Sequence, residues 1–422
     1  MAGDTDSRCS LSPTKHKTCS SYGAAVAASI GNKTIDVQSL FSVAIVLTFA
    51  GYFFAAAGIN SAYTLFSIGY RALIPCAALY LVFRYERGKQ GLVFGTELKC
   101  LCGFLIAIVG LTCGYFYATG VWSSQLWDGI LFLAWPALLG YLAINLFKAN
   151  QIKNMMVGIL VVTFIAYLID LQRKGLLIPS SLSAISFYDS YSPYESSAFS
   201  GVSFSLAAFF CYFRKNKLWL ILSALFCLLT FKRVFIVFLP ILFVVGIFGK
   251  FSEGRPKKST FVWCAAITAV VAIGYFYILL PGNNTFFETI LSKYFNLDVY
   301  QFTMGRDTQL YALLNMGFQS YGYMSSLMWS PSYVEMEFCR IYLELGFLGV
   351  IAFSLYFWTI SRNDRYALFF MSGLIANLVF SWSLSSFEGW FLSYITLFAT
   401  QMYMQDYTVK LGFSNGRKRS VR

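Results

Sequence analysis

Apolar stretches recur along the sequence and constrain its fold more than any other feature. Only 12% of the 422 residues are charged, and most of these lie between the stretches. Inside a bilayer, a backbone amide must be satisfied within its own segment, so such stretches are helices. The sequence predicts an all-α, polytopic integral membrane protein with about twelve transmembrane helices. The predicted spans are 40–58, 63–83, 98–119, 127–147, 154–170, 199–213, 217–231, 233–249, 260–280, 338–359, 366–384 and 387–404.

The distribution of Lys and Arg predicts the orientation of these spans. If the N-terminus is cytoplasmic and every span crosses, the cytoplasmic segments hold 24 of the 32 basic residues. Short loops rich in Lys and Arg stay in the cytoplasm. We therefore expect both termini to be cytoplasmic. The net charge of +13 then reflects orientation, and no nucleic-acid partner is needed to explain it.

The segments between the spans predict the organisation of the chain. Residues 1–37 are a polar cytoplasmic leader, 38–410 form a single transmembrane domain, and 411–422 are a basic cytoplasmic tail. Two extracytoplasmic loops are long, at about 171–198 and 281–337, and the second should contain short helices. The stretch 217–249 is either two short spans or a pair bent back around residues 231–233.

The side chains that usually bind metals or attack substrates are sparse. The sole histidine, His16, lies in the leader, and most of the ten cysteines are scattered inside apolar stretches. No paired Cys or His spacing indicates a zinc site. We expect no protein-ligated transition metal, no cofactor and no covalent nucleophile.

Eight basic residues lie outside the cytoplasmic segments, and one adjacent pair of them lies between apolar stretches. Lys232 and Arg233 separate two strongly apolar stretches. Charge at such a depth is costly unless it is paired or hydrated, so it indicates function. The alternative is that both side chains extend to the lipid headgroups. Arg71, in the middle of a span, should face the protein interior, where it pairs with an acid or contacts a phosphate.

A second candidate lies in the longer loop. Arg306 and Asp307 follow Thr303 at the predicted start of a short helix. A helix N-terminus beside an arginine is a natural phosphate site. The alternative is an exposed Arg306–Asp307 ion pair, which contributes little to stability.

A third candidate lies at the start of the span 338–359. Glu337, Arg340 and Glu344 are spaced i, i+3 and i+7, so they share one helix face. This row is either an ion-pair lock or part of a site. Glu335 precedes it by two residues.

Arginines and carboxylates gathered on one side of a membrane suit a large anionic, lipid-linked substrate. Guanidinium groups bind pyrophosphate oxygens in pairs and stay charged at any relevant pH. They also stabilise the charge that develops on a departing pyrophosphate.

The stretch from Glu335 to Gly349 reads acid-x-acid, then an embedded Arg340, then Leu-Glu-Leu-Gly-Phe-Leu-Gly. It resembles the signature of O-antigen and exopolysaccharide polymerases (Wzy-like), which are related to the O-antigen ligases. The segment Met304-Gly305-Arg306 is similar to the Gly-Arg segment of the family's large periplasmic loop. Lys232-Arg233 resembles the family's basic pair at a periplasmic helix end. The motifs cover about a quarter of the chain, in the family order.

The resemblance implies a metal-independent, inverting membrane glycosyltransferase in the bacterial inner membrane. It would transfer a growing glycan from undecaprenyl pyrophosphate onto a lipid-linked repeat unit, for lipopolysaccharide or another polysaccharide. Arg233 and Arg306 would bind the donor pyrophosphate, with Lys232, Arg340, Arg71 and Asp307 in supporting roles. Glu335 or Glu337 would be the general base. The family also implies membrane lipid and a chain-length regulator as partners.

Two other functions fit the same features. An O-antigen ligase has a histidine at the start of the last motif, whereas this chain has Glu335 there. A flippase or exporter of lipid-linked oligosaccharide would have two related halves with charges spread through a central cavity. No related halves are found in the sequence, and the informative charges collect near one face.

Overall fold

The computed structural model describes residues 29–30, 33–34, 36–88, 93–177, 194–213, 216–247, 256–280, 282–283, 285–303, 305–330, 334–380, 384 and 386–410. Within these ranges the chain is helical except for one hairpin and short connections, which confirms the all-α prediction. The helices are α1 Val37–Ala56, α2 Tyr63–Gly88, α3 Gly95–Thr119, α4 Ser124–Leu146, α5 Ala149–Arg173, α6 Ser197–Tyr212, α7 Lys217–Leu229, α8 Arg233–Ile247, α9 Lys258–Leu279, α10 Thr285–Phe295, α11 Val299–Thr303, α12 Arg306–Asn315, α13 Ser326–Trp329, α14 Glu337–Ile360, α15 Arg365–Phe380 and α16 Phe387–Lys410.

A small hairpin in the N-terminal segment was not expected from the sequence. Strand β1, Ser29–Ile30, pairs antiparallel with strand β2, Lys33–Thr34. Residues 1–28 of the predicted leader lie outside the described residues, as does the predicted tail 411–422. The hairpin belongs to a unit of its own, separate from the helical unit that begins at Gln38.

Each of the twelve predicted spans corresponds to one helix, α1 to α9 and α14 to α16, with shifted ends. For example, α5 begins at Ala149 rather than at 154, and α16 ends at Lys410 rather than at 404. Among the described residues, seven helices are long and apolar enough to cross a membrane. A bilayer core of roughly 30 Å requires about 20 residues at 1.5 Å each. The seven are Val37–Ala56, Asn60–Phe83, Gly95–Thr119, Ser124–Leu146, Ala149–Arg173, Ser259–Leu279 and Glu337–Ile360.

Four further apolar helices are shorter, at 10–17 residues: Ala198–Tyr212, Lys217–Leu229, Arg233–Ile247 and Arg365–Phe380. Two of them, α7 and α8, lie in the stretch 217–249 and are separate short helices joined by a tight turn, which both alternatives for this stretch allow. Phe231 in this turn has a φ of 48°, a left-handed conformation that is unusual for a bulky residue. Its ring packs against Tyr194, with centroids 5.6 Å apart.

Hydrogen bonds join several helix ends on one side of the helical unit. Arg173, at the end of α5, donates to the carbonyl of Ala57, just after α1, over 2.6 Å. The hydroxyl of Tyr167 in α5 donates to the carbonyls of Tyr194, before α6, and of Leu229, at the end of α7. We call this side the loop end, because the short helices α10 to α13 connect to α9 and α14 there.

Other hydrogen bonds join helix ends at the opposite end of the helical unit. Gln38 at the start of α1 donates to the carbonyl of Leu146 at the end of α4, over 2.7 Å. Asn363, after α14, donates to Glu97 in α3 and to Gln401 in α16, each over 2.9 Å. The helix ends therefore alternate between the two ends along the chain, as expected if consecutive long helices are antiparallel.

The predicted loops are only partly described. Residues 281–337 contain the short helices α10 to α13, which confirms that this segment is partly helical. The other predicted loop, 171–198, falls mainly on 178–193, outside the described residues. Helix α14 follows the longer loop and packs against α9, α3 and α15. Its backbone is interrupted at Gly346, where φ is 65° and ψ is −162°, a conformation that glycine adopts without strain.

Candidate functional site

A cavity of about 270 Å³ opens at the loop end, between the α7–α8 turn, α9, α15 and the start of α12. We call it the cationic cavity, because three of its lining residues are Lys232, Arg233 and Arg306. These are three of the residues singled out in the sequence, and the fold brings them to one place. The full lining is Glu195, Lys232, Arg233, Val234, Val237, Tyr275, Phe302, Arg306 and Phe380.

Lys232 is held in the cavity wall by an ion pair. Its Nζ lies 2.7 Å from Oε1 of Glu195, and the two side chains are 4% and 14% exposed. Burial lowers the pKa of Lys232, an effect that the Glu195 carboxylate opposes and the nearby Arg306 charge reinforces. The buried position and the direct partner argue against the alternative that Lys232 extends to the lipid headgroups.

Arg306 is also paired, but not with Asp307. Its Nη2 and Nε donate to the same oxygen of Glu335, over 2.7 and 3.0 Å, and its Nη1 donates to the carbonyl of Thr303 over 2.9 Å. Asp307 is buried and accepts from the Thr303 hydroxyl over 2.8 Å. The predicted alternative of an exposed Arg306–Asp307 pair is therefore wrong. Asp307 does not line the cavity, and its role is to support the turn before α12.

Two helix N-termini meet at the cavity. Helix α8 begins at Arg233, and α12 begins at Arg306, as the sequence predicted. Gly305 precedes α12 with a φ of 75°. Because glycine has no Cβ, it adopts this left-handed conformation without steric strain. The unpaired amides at a helix N-terminus carry a partial positive charge. Two such termini and three cationic side chains make the polar part of the cavity attractive to an anion.

The rest of the cavity wall is apolar. Tyr275, Phe302 and Phe380 contribute aromatic rings, and Val234 and Val237 contribute aliphatic surface. Val237 in α8 is 62% exposed, and Phe380 at the end of α15 is 37% exposed. Exposed apolar side chains of a membrane helix face lipid. The cavity therefore combines a cationic wall with an apolar wall that is open laterally, which suits an amphiphilic anion.

The acid-base-acid row of α14 lies elsewhere and forms an ion-pair lock. Arg340 pairs with Glu337 and, over 3.4 Å, with Glu344, and all three side chains are fully buried. Glu344 also accepts from the backbone N–H groups of Met324 and Ser326, over 2.7 and 3.0 Å. The row therefore fastens part of the long loop to α14.

This burial corrects two predictions. Glu337 was a candidate general base, but one of its oxygens bonds Arg340 and the other accepts from the N–H of Leu384 over 3.0 Å. Arg340 was expected to support pyrophosphate binding, yet it is enclosed by Glu337, Glu344 and the Tyr323 ring. Neither residue lines the cationic cavity. Glu335, in contrast, is 40% exposed beside Arg306.

Arg71 is the other predicted site residue that the fold places differently. It is exposed on α2, where its Nε donates to the hydroxyl of Tyr70 over 3.2 Å and its guanidinium lies 5.7 Å from that ring. The prediction that it faces the interior is wrong. Tyr70 supplies a polar and aromatic partner on the helix surface, so the charge needs no buried acid.

Sequence reasoning missed Glu195, which lines the cavity and neutralises Lys232. The signal was its position just before α6, on the same predicted side of the membrane as Lys232, which needs a counter-ion. The missed aromatic wall residues Tyr275, Phe302 and Phe380 gave no such signal. An aromatic residue in an apolar helix can face lipid, core or cavity alike.

Comparisons of the chain with protein-family models, with curated proteins and with solved structures found no match. The site must therefore be interpreted from its own residues. The fold and the site define a structural class. It is a helical chain with several membrane-length helices and, at one end, a cavity lined by cations and open laterally.

Proposed function

We propose that the cationic cavity binds the pyrophosphate and the first isoprenoid units of a lipid-linked glycan. The observation that carries this proposal is that one cavity has both a cationic wall and an apolar wall. Arg233 and Arg306, each at a helix N-terminus, face the pyrophosphate oxygens. Val237 and Phe380 border the isoprenoid chain, which enters from the lipid-facing side.

On this basis the chain is a polysaccharide polymerase of the bacterial inner membrane. It transfers a growing glycan from undecaprenyl pyrophosphate onto a lipid-linked repeat unit. In the proposed orientation α1 to α9 and α14 to α16 are twelve crossings, both termini are cytoplasmic, and the loop end is periplasmic. The shorter helices α6, α7, α8 and α15 then cross where the bilayer thins locally to match them. The resemblance of Glu335 to Gly349, Gly305-Arg306 and Lys232-Arg233 to Wzy-like polymerases supports this assignment. A chain-length regulator is the expected protein partner.

The reaction is one inverting displacement at the anomeric carbon of the donor sugar. The acceptor hydroxyl oxygen forms the new glycosidic bond, and the bond from the anomeric carbon to pyrophosphate breaks. The electron pair leaves on the pyrophosphate oxygen, where Arg233, Arg306 and Lys232 stabilise the developing charge. The acceptor proton passes to a carboxylate. The proposed step needs no metal.

Glu335 is the proposed general base. It is partly exposed and lies against Arg306, so a pyrophosphate that binds Arg306 competes directly with Glu335 for the guanidinium. The released carboxylate can then accept a hydrogen bond from the acceptor hydroxyl. Glu195 lines the cavity, where it remains the counter-ion of Lys232.

Deletion of the gene tests the function against its rivals. Lipid-linked intermediates extracted from the mutant should carry a single repeat unit that external enzymes can reach in spheroplasts. Loss of a ligase would instead leave long lipid-linked polymer. Loss of a flippase would leave single repeat units protected inside the cell. Either of these last two outcomes contradicts the polymerase assignment.

The pH dependence of pyrophosphate binding depends on Lys232. A lysine is charged below its pKa, and burial lowers the pKa of Lys232. Farnesyl pyrophosphate should therefore bind the purified protein less well on raising the pH, before an ordinary lysine titrates at roughly 10.4. Lys232→Arg should remove this alkaline loss, because arginine stays charged.

The matched control for that experiment is Lys293→Arg. Lys293 is exposed on α10, outside the cavity, so this variant should keep the alkaline loss of the wild type. The measurement is the dissociation constant of farnesyl pyrophosphate across the pH range. An unchanged alkaline loss in Lys232→Arg would show that another group is responsible.

A further inference from the structure

A second cavity, of about 460 Å³, lies at the loop end between the end of α1 and the start of α2. Its lining residues are Tyr52, Ala55, Ala56, Asn60 and Tyr63. We call it the tyrosine cavity. Two phenols and a carboxamide supply its polar groups, and two alanines supply its apolar surface. Among the described residues no cation lines it, so it does not suit a phosphate.

The tyrosine rings are held in place by their neighbours. The hydroxyl of Tyr52 hydrogen-bonds to the carboxyl group of Glu388, which is 2% exposed in the first turn of α16. The rings of Tyr52 and Tyr63 lie 5.1 and 5.7 Å from that of Phe66, which packs against Phe387 at 6.0 Å. The cavity therefore has a preformed wall, which reduces the entropy that a ligand loses on binding.

The connection between α1 and α2 is fixed as well. Arg173 donates to the carbonyl of Ala57 over 2.6 Å, and its guanidinium fills the space beside Gly58. A Cβ at position 58 would lie 1.4 Å from Nη1 of Arg173, and the φ of Gly58 is 93°. Glycine is needed here for both reasons. The arginine thus holds the residues that lead into the 3₁₀ turn Asn60–Ala62, which carries Asn60.

The two cavities lie at the same end of the bundle and share a packed connection. Phe53, one residue after Tyr52, packs against Phe199 near the start of α6, with centroids 5.1 Å apart. Glu195, the partner of Lys232 in the cationic cavity, lies just before the same helix. A ligand at one cavity is therefore on the same side of the membrane as a ligand at the other.

We propose that the tyrosine cavity binds a saccharide ring of the acceptor, the lipid-linked repeat unit. A sugar ring presents one flat C–H face and several hydroxyl groups. Tyr63, which is 53% exposed, offers a ring face, and the hydroxyl of Tyr52 and the amide of Asn60 exchange hydrogen bonds with sugar hydroxyls. Glu388 is a positioning residue that orients Tyr52. The assignment to an acceptor rests on the proposed polymerase function.

The test uses two probes on the detergent-solubilised full chain. One is the repeat-unit oligosaccharide, released by mild acid from the lipid-linked pool, with its Kd measured by saturation-transfer NMR. The other is farnesyl pyrophosphate. Tyr63→Ala should weaken oligosaccharide binding about tenfold and leave farnesyl pyrophosphate binding unchanged. Arg306→Ala should do the reverse.

Two further variants sharpen the result. Tyr63→Phe keeps the ring and should retain most of the oligosaccharide affinity. Tyr117→Ala removes an exposed tyrosine near the end of α3 (93% exposed) and should bind both probes like the wild type. If Tyr63 were only an interfacial anchor, Tyr63→Ala would lower membrane abundance while oligosaccharide binding stayed normal. That outcome, or a wild type that binds no oligosaccharide, overturns the proposal.

The deletion mutant and the binding measurements together distinguish a wrong polymerase assignment from a wrong saccharide subsite. A deletion mutant with long lipid-linked polymer would refute the polymerase assignment, yet Tyr63-dependent oligosaccharide binding would still establish a saccharide site. Conversely, a deletion mutant limited to single repeat units, together with Tyr63→Ala that binds oligosaccharide normally, would keep the polymerase and refute this subsite.

Discussion

Arg306→Lys and Arg233→Lys should each lower the rate of polymerisation roughly 30- to 1000-fold at matched membrane abundance. Lysine keeps the charge but loses the planar pair of donors that a pyrophosphate oxygen pair requires. Losing one such contact costs about 2–4 kcal/mol of transition-state stabilisation. The measurement is the amount of polymer formed per unit time from lipid-linked repeat units, read from a gel, with each variant expressed in the deletion strain.

The contacts of Arg306 allow a loss of binding to be told apart from a loss of folding. Arg306 contacts Glu335 and the Thr303 carbonyl at the surface of the cavity, so a lysine in its place can keep one of these contacts and the fold should persist. Arg365→Lys is the matched control, because Arg365 is exposed at the opposite end of the bundle. It should give wild-type polymer. Wild-type polymer from both Arg233→Lys and Arg306→Lys would refute the proposal that these residues bind the pyrophosphate.

Arg340→Ala should produce the second large effect, but on stability. Arg340 lies between Glu337 and Glu344, and all three side chains are fully buried. Its removal leaves two carboxylates without their cation, and breaking a buried pair costs about 3–5 kcal/mol. We expect a lower free energy of unfolding in detergent, a lower melting temperature and reduced membrane abundance.

A combined variant separates the lock from a catalytic role. Glu337→Gln, Arg340→Met and Glu344→Gln together remove the charges and should recover much of the stability lost in Arg340→Ala. The glutamine that replaces Glu344 keeps one acceptor oxygen, so it can accept from the N–H of Met324 or of Ser326 but not from both, because these bond different oxygens of Glu344. Because the row is a lock, the combined variant should also recover polymerisation. A combined variant that is stable but inactive would instead place Arg340 or Glu337 in the reaction.

Local patterns were the part of the site that the sequence could predict. Glu337, Arg340 and Glu344 share a face because of helix periodicity alone, and the structure pairs them, which is one of the two alternatives that the sequence left open. The start of α12 at Arg306 follows from local signals too. Ion pairs between residues distant in sequence could not be predicted. Lys232 bonds Glu195, 37 positions away, and Arg306 bonds Glu335, 29 positions away.

The sequence by itself determined the helices. Apolar stretches must satisfy their backbone hydrogen bonds internally inside a bilayer, so the helical class and the approximate ends of the apolar helices follow from composition along the chain. Only the tertiary structure decided which side of each helix meets another. Lipid is as apolar as a protein core, so hydropathy does not distinguish a lipid-facing side from a buried one. Packing therefore turned Arg71 outward, enclosed Glu337 and brought Lys232, Arg233 and Arg306 to one cavity.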